Sequence, residues 1–281
     1  MNATAVAKLK FILPSLCKLN ERALSIELDK LSEGVDVMDF YKNLNQALDI
    51  KRKNILFIGA PGSGKGTYSR ILSPLLILPT FGSGDYMKKE MATKSAFGES
   101  VKTYIERGEL VPDDIVLPVV KKILTQPTYK SGVILDGFPR TVAQAEDIAK
   151  SLPIDLVMYF HLPREILIEK LLGRRVCPSC GRSYNVASIT NGEFNLPPLL
   201  PEKENECDSC HEKLVQRSDD KREVIENRLS IYEKQTAPLI EYFGPSGKNV
   251  LCQFNIKKGV ADAPDILKEM MIHYISRMEF F

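Results

Sequence analysis

Asn54-Ile55-Leu56-Phe57-Ile58 leads directly into Gly59-Ala60-Pro61-Gly62-Ser63-Gly64-Lys65-Gly66-Thr67, and this stretch decides the fold. The short continuous apolar run reads as a parallel strand buried on both faces. The glycine-rich segment after it opens a helix through about Leu72, which is the strand–loop–helix context of a P-loop. Glycines let the backbone turn tightly, so that several N–H groups point inward at a polyanion. The start of the helix adds the positive end of its dipole. Lys65 supplies a mobile charge for β- and γ-phosphates, and Thr67 a hydroxyl near Mg²⁺. The spacing departs from G-x-x-x-x-G-K-[ST], because Gly66 separates Lys65 from Thr67. A ligand-free glycine-rich turn is the bland alternative; Lys65 and the two flanking elements argue against it.

Downstream, apolar runs alternate with helical periodicity. Helices are predicted over 85–94, 99–107 and 113–124, and a second buried strand over 132–135. A helix over 141–152, a third strand over 156–160 and a helix over 163–172 follow. After a cysteine-bearing insertion come a long polar helix over 221–236, a strand near 250–254 and a closing helix from Pro264. This alternation predicts an α/β fold with a doubly wound parallel sheet. Upstream, residues 21–50 read as helical, with Val37, Phe40, Leu44 and Leu48 on one stripe, and Lys51-Arg52-Lys53 marks a polar boundary.

The 281 residues suffice for one full core and a small appended unit. With a net charge of +2, affinity for phosphate must come from local clusters and not from the whole chain. No apolar run approaches a bilayer-spanning length, so an integral membrane protein is not expected. Residues 1–20 carry Lys8, Lys10 and Lys18, no acid, and apolar Leu9, Ile12, Leu13 and Leu16. That composition fits a transit peptide, but without Arg and with little Ser a basic amphipathic helix resting on the fold is preferred. The expected location is therefore cytoplasmic, with mitochondrial the alternative if residues 1–20 are cleaved.

The second strand ends at Asp136, placed to hold Mg²⁺ through water. Gly137-Phe138-Pro139-Arg140 follows, so no adjacent residue is available to position an attacking water. Arg140 reads instead as an anion clamp. A nucleotide phosphate is largely a dianion near neutral pH and attacks without a general base, which favours transfer over hydrolysis. Arg174, Arg175, Arg217 and Arg228 bracket the insertion, and a planar guanidinium can grip two phosphate oxygens. Any one of them alone would read as a surface salt bridge.

Cys177-Pro-Ser-Cys180 and Cys207-Asp-Ser-Cys210 form two CxxC knuckles, while Cys17 and Cys252 stand apart. Two such knuckles present four thiolates tetrahedrally to Zn²⁺, and a metal supplies the stability that a piece of roughly 40 residues lacks. His211 is a possible substitute ligand. The insertion lacks the aromatic clusters or basic stripe of a nucleic-acid binder.

Together, GAPGSGKGT, LDGFPRT, GRRVCPSCGRSY and QRSDD resemble the signatures of the adenylate kinase family, in its long form with a zinc-bearing lid. The likeness runs from about Asn54 to the end. It implies a P-loop core over 53–281 containing a helical monophosphate-binding insertion (82–111) and a zinc-ribbon lid (173–220), with 1–52 a helical extension. It further implies that ATP or GTP donates to AMP, with Mg²⁺ on the nucleotide, structural Zn²⁺ in the lid, and a monomeric enzyme. By resemblance, Gly62, Ser63, Gly64, Lys65, Gly66 and Thr67 hold the donor phosphates. Lys170, Arg174, Ser183, Tyr184 and Lys258 complete the donor site. Ser83, Lys88, Glu109, Leu110, Val111, Gly137, Phe138, Pro139, Arg140 and Gln144 form the AMP site, with Arg217 and Arg228. Lys65, Arg140, Arg174, Arg217 and Arg228 are the implied catalytic cations. Two positions depart from the pattern: Lys88 and Lys170 stand where the family commonly has Arg, and lysine lacks the bidentate fork and stacks less well. From a different class, the competing reading is a zinc-ribbon ATPase or switch that binds nucleic acid or a protein; a kinase with a small non-nucleotide acceptor is a third.

Overall fold

The computed structural model describes residues 3–48 and 53–278; Lys51 and Arg52 of the polar boundary lie outside them. Three helices come first, α1 (Ala3–Leu16), α2 (Glu21–Ser32) and α3 (Val37–Leu48). The core then runs β1 (Asn54–Ile58), α4 (Lys65–Leu76), β2 (Thr80–Gly82), α5 (Ser83–Ala92), α6 (Ala96–Arg107), α7 (Asp113–Leu124), β3 (Val133–Asp136), α8 (Val142–Ala149), β4 (Leu156–His161) and α9 (Arg164–Leu172). The insertion holds two hairpins, β5 (Arg174–Val176) with β6 (Ser183–Asn185), and β7 (Ile189–Asn191) with β8 (Phe194–Leu196). The chain closes with α10 (Arg222–Ile231), α11 (Pro238–Phe243), β9 (Leu251–Asn255) and α12 (Ala263–Ile275).

The central sheet is β2-β3-β1-β4-β9, with every pairing parallel. Parallel sheets need cover on both faces, and β1 shows how the sequence provides it. Ile55 and Phe57 join one buried cluster with Tyr68, Leu72, Phe160 and α12. Leu56 and Ile58 join the other, with Val116, Val120, Phe138, Ile148 and Leu239. Register sets Phe57 beside Asp136, so the carboxyl ends of β1 and β3 deliver the P-loop and the acid to one edge.

The helix expected over 21–50 is broken among its described residues. Gly34 at φ +78° turns the chain, and the Asp36 carboxylate accepts from Asp39 N–H at 2.8 Å to start α3. The expected stripe shifts accordingly: Phe40, Tyr41 and Leu44 are buried, whereas Val37 is exposed. α1 buries Leu9, Leu13 and Leu16 in the same cluster as α12, as expected of a helix resting on the fold. Asn20 caps α2, its side chain accepting from Ala23 N–H at 2.9 Å. β2 was not predicted; three residues with one buried side chain carry too little periodicity. The helix expected over 221–236 widens to a π-turn at Tyr232–Thr236, where Ala237 N–H donates to Tyr232 C=O at 2.8 Å ahead of Pro238.

Candidate active site

The P-loop is shaped by what glycine permits. A Cβ at Gly59, whose φ is +147°, would come within 2.5 Å of the Phe160 carbonyl oxygen. A Cβ at Gly66 would stand 3.2 Å from Asp136 Oδ2, so a side chain between Lys65 and Thr67 would press on that carboxylate. α4 starts at Lys65 with no side-chain cap, so the N–H groups of Lys65 and Gly66 are available to an anion, while that of Thr67 donates to the Gly64 carbonyl at 2.9 Å. Lys65 Nζ donates to the carbonyls of Gly59 at 2.8 Å and Ala60 at 3.0 Å, which holds the ammonium across the loop. Burial pushes its pKa down to about 8, with Asp136 opposing and Arg140, Arg228 and Arg174 adding to the fall. Burial pushes the Asp136 carboxyl up, partly offset by Lys65.

The turn after β3 is a hydrogen-bonded scaffold for Arg140. Gly137 has φ +70°, and the Phe138–Pro139 peptide is cis. Arg140 Nε and Ser83 Oγ both donate to the Gly137 carbonyl, at 2.7 and 2.6 Å. Gln144 Oε1 accepts from Arg140 N–H at 2.7 Å, while its Nε2 donates to Asp113 at 2.6 Å. Ser83 and Gln144 therefore hold the clamp in place as well as lining the cleft.

The arginines converge on two buried carboxylates. Arg174 makes a two-point bond to Asp220, Nε at 2.8 Å and Nη2 at 2.5 Å. Arg217 does the same to Asp219, at 2.9 and 2.8 Å. Arg228 Nη1 reaches Asp219 at 3.1 Å and Asp220 at 3.4 Å. Lys88, on α5, reaches Asp219 from the opposite wall at 3.4 Å. Burial alone would raise the Asp219 pKa, but Arg217 and Arg228 hold it below the usual carboxylate range. Asp219 and Asp220 thus keep three guanidiniums desolvated and together. Arg175 turns away, donating to the carbonyls of Leu172 and Arg174.

In the lid, the sulfurs of Cys177, Cys180, Cys207 and Cys210 all lie within 4.8 Å of one another, and none is in a disulfide. Cys180 N–H points at Cys177 Sγ at 3.5 Å, and Tyr184 Oη donates to Cys207 Sγ at 3.6 Å. Four convergent soft donors with N–H and O–H groups around them fit a tetrahedral Zn²⁺. His211 faces elsewhere, its ring 3.0 Å from Glu206.

One cleft of about 310 Å³ gathers the P-loop, Asp136, Arg140 and the three clustered arginines, with the thiol cluster outside it. All the predicted donor and acceptor residues line it except Ser63 and Lys258. Ser63 is fully buried beneath the loop, its Oγ without a partner. The Lys258 ammonium instead pairs with Asp265 at 3.3 Å, and its neighbours Gly259 and Val260 form the wall. Lys170 is in place, and burial pushes it down to about 8 against the pull of Asp262. Sequence reasoning missed Asp219 and Asp220 as anchors, although both were in the quoted QRSDD motif. It also missed Arg70, which lines the cleft from α4 and carries no local motif.

A family model for adenylate kinase matches residues 57–248. The chain is similar to the adenylate kinase of Clostridium kluyveri, 41% identical over 198 residues that cover 69% of this chain and 87% of that protein. It is 43% identical to the adenylate kinase of Thermodesulfovibrio yellowstonii over 198 residues, covering 69% and 87%. With that of Thermosipho melanesiensis it shares 39% over 223 residues, covering 78% and 97%.

Proposed function

We propose, from the premise that this chain belongs to the adenylate kinase family and is a phosphotransferase acting on AMP and a second nucleotide, that it moves the γ-phosphoryl of ATP reversibly onto AMP to give two diphosphates, with GTP the alternative donor. One observation carries this reading: the P-loop ammonium, the Arg140 clamp and the arginines of the lid roots and α10 face a single cleft. Lys65 and the first-turn amides of α4 bind the donor phosphates. Lys170, Ser183, Tyr184 and the wall at Gly259–Val260 enclose the donor nucleoside. On the other side Arg140 and Lys88 take the AMP phosphate, while Glu109, Leu110, Val111 and Phe138 border the acceptor nucleoside.

The chemistry is positioning and charge neutralisation. The AMP phosphate attacks as a dianion, so the site needs no general base. Arg174, Arg217 and Arg228, preset by Asp219 and Asp220, would neutralise the charge that gathers on the equatorial oxygens of the transferring phosphoryl. Asp136 and Thr67 would hold Mg²⁺ through water, and that ion supplies charge neutralisation of the phosphate oxygens. Walls from both sides of the cleft exclude water that would otherwise accept the phosphoryl. Lys88 delivers a point charge where a fork would grip two oxygens, which favours looser AMP binding.

Zn²⁺ on Cys177, Cys180, Cys207 and Cys210 is read as structural, because four protein ligands leave no open position. Metal analysis of protein kept reduced tests this, with about one zinc per chain expected. Integration of α1 into the main core favours a retained segment over a cleaved transit peptide, and so the cytoplasmic reading over the mitochondrial one. The function is tested by four triphosphates assayed against AMP, GMP, CMP and UMP. Diphosphate formed only with AMP present, most rapidly from ATP, is expected. Phosphate release without any monophosphate would favour a hydrolysing switch and end the reading.

A further inference from the structure

Arg70 has no place in the mechanism above, yet it joins the P-loop helix to the lid, the two sides of the proposed donor site. It stands on α4, five residues beyond Lys65, with its side chain exposed at the rim of the cleft. Among the described residues it makes no ion pair. Its Nη2 donates to the Gly181 carbonyl at 2.5 Å, across to the lid. Gly181 directly follows Cys180 and closes the first cysteine knuckle. Its φ is +72°, and its N–H donates back to the Cys177 carbonyl at 3.0 Å, so the knuckle itself aims the carbonyl that Arg70 grips. A Cβ at this position would lie 3.2 Å from Arg70 Nη2, so the guanidinium lies close against the knuckle backbone. The rest of the lid is moored differently: Asn195 N–H donates to the Lys257 carbonyl at 2.8 Å, and Ile189 and Leu196 sink into the main core.

We propose that Arg70 is a positioning residue, a clasp that fastens the first cysteine knuckle to the phosphate-gripping helix and so sets how long the lid stays over the donor. This rests on the reading of the lid as the donor's cover. The bond joins two elements that must separate for nucleotide to enter or leave, so its strength divides between holding the donor and delaying release. The clasp also couples the thiol cluster to the P-loop: whatever orders the knuckle orders the Gly181 carbonyl, and through Arg70 the lid-facing side of α4.

The test compares Arg70→Met and Arg70→Lys with the parent in the full-length, zinc-loaded protein. Without nucleotide, hydrogen exchange at amides 177–182 is expected to quicken about fivefold in Arg70→Met, as for the loss of one charge-assisted hydrogen bond at the surface. The donor KM rises about three- to tenfold, the AMP KM holds, and kcat does not fall. Arg70→Lys, which still offers a charged donor, recovers most of both effects. Unchanged exchange at 177–182 together with an unchanged donor KM overturns the clasp. A fall in kcat at constant donor KM also overturns it, since that marks a group acting on the transferring phosphoryl. The exchange measurement needs no catalysis, so it decides the clasp even if the phosphotransfer reading fails.

Discussion

Beneath the P-loop lie Phe57, Tyr68 and Phe160, with Phe160 5.0 Å from one ring and 5.1 Å from the other, inside a cluster that reaches α12 and the first three helices. Beneath the donor-facing strand of the lid the buried cluster is Cys177, Tyr184, Cys207 and Leu214. Both regions must present polar groups to phosphate, and they meet that demand by different physics. Apolar burial of aromatic and aliphatic side chains, worth about 1.5–3 kcal/mol each, fixes the P-loop without help. The cysteine-bearing part of the lid buries only that small cluster, so convergent thiols and paired charges at its roots substitute for a core, while Ile189 and Leu196 of the second hairpin lean on the main core. The P-loop is therefore built on packing and the cysteine-bearing hairpin on separable polar contacts, a difference that suits the proposed still base and moving cover.

The sharpest way to break this comparison is at the root of the lid. Asp220→Ala strands Arg174 in a largely buried setting, while Arg228 keeps its pair with Asp219, and this is expected to cost about 3–5 kcal/mol of unfolding free energy. Chemical denaturation measures it, and a loss below about 1 kcal/mol would show that the root is held by packing after all. Next, Lys65→Met should lower kcat by about 10²–10³ while leaving the unfolding midpoint unchanged, because among the described residues the Lys65 ammonium bonds only loop carbonyls at the cleft and no core partner. Steady-state kinetics alongside thermal melts separates the two, and near-parent turnover would remove Lys65 from the chemistry.

A third prediction concerns acid. Burial and Arg277 depress the His273 pKa to about 4, and its Nε2 lies 3.4 Å from the Asp155 carbonyl. The folded pKa lies below the unfolded value of about 6.5, so folding favours the neutral ring. Its full contribution is present above pH 6.5 and is lost as pH falls from 6.5 toward 4, about 2–3 kcal/mol in all. His273→Leu should flatten the unfolding free energy across that window; an unchanged slope would place the acid sensitivity elsewhere. The smallest global effect is expected from chelation. Removing metal should expose residues 173–220 to exchange and proteolysis while the main unfolding transition stays put. Simultaneous loss of the P-loop's protection would mean that lid and core are one cooperative unit.

Some of this was legible in the chain. β1, β3 and β4 appeared as apolar runs because a strand covered on both faces leaves no polar alternation to mislead. α7 was predicted with its bounds at Asp113 and Leu124 as observed, since two acids open it and its buried residues recur at helical spacing. The break at Gly34 was missed because the apolar stripe of α3 reads smoothly backward into α2. Lys258 was placed by resemblance alone, and the turn into α12 sends its ammonium to Asp265 instead.

The sequence by itself determined what is local or repeated along the chain: the strand–loop–helix of the P-loop, the Asp136 to Arg140 turn, the two knuckles and the alternation that makes a parallel sheet. Backbone sterics and the spacing of ligands act over a few residues, so a short window holds the whole argument. Tertiary structure alone decided which charges meet. Nothing between residues 88 and 219 announces that Lys88 will reach Asp219 beside Arg217 and Arg228. Nor does any motif reveal that Arg70 reaches Gly181 across the cleft. Gly66 shows the same division: its place in the motif is written in the chain, but only the fold sets the Asp136 carboxylate 3.2 Å from where a Cβ would stand. Such contacts join segments far apart in sequence, and burial sets their strength, so they exist only once the sheet has brought its strand ends to one edge.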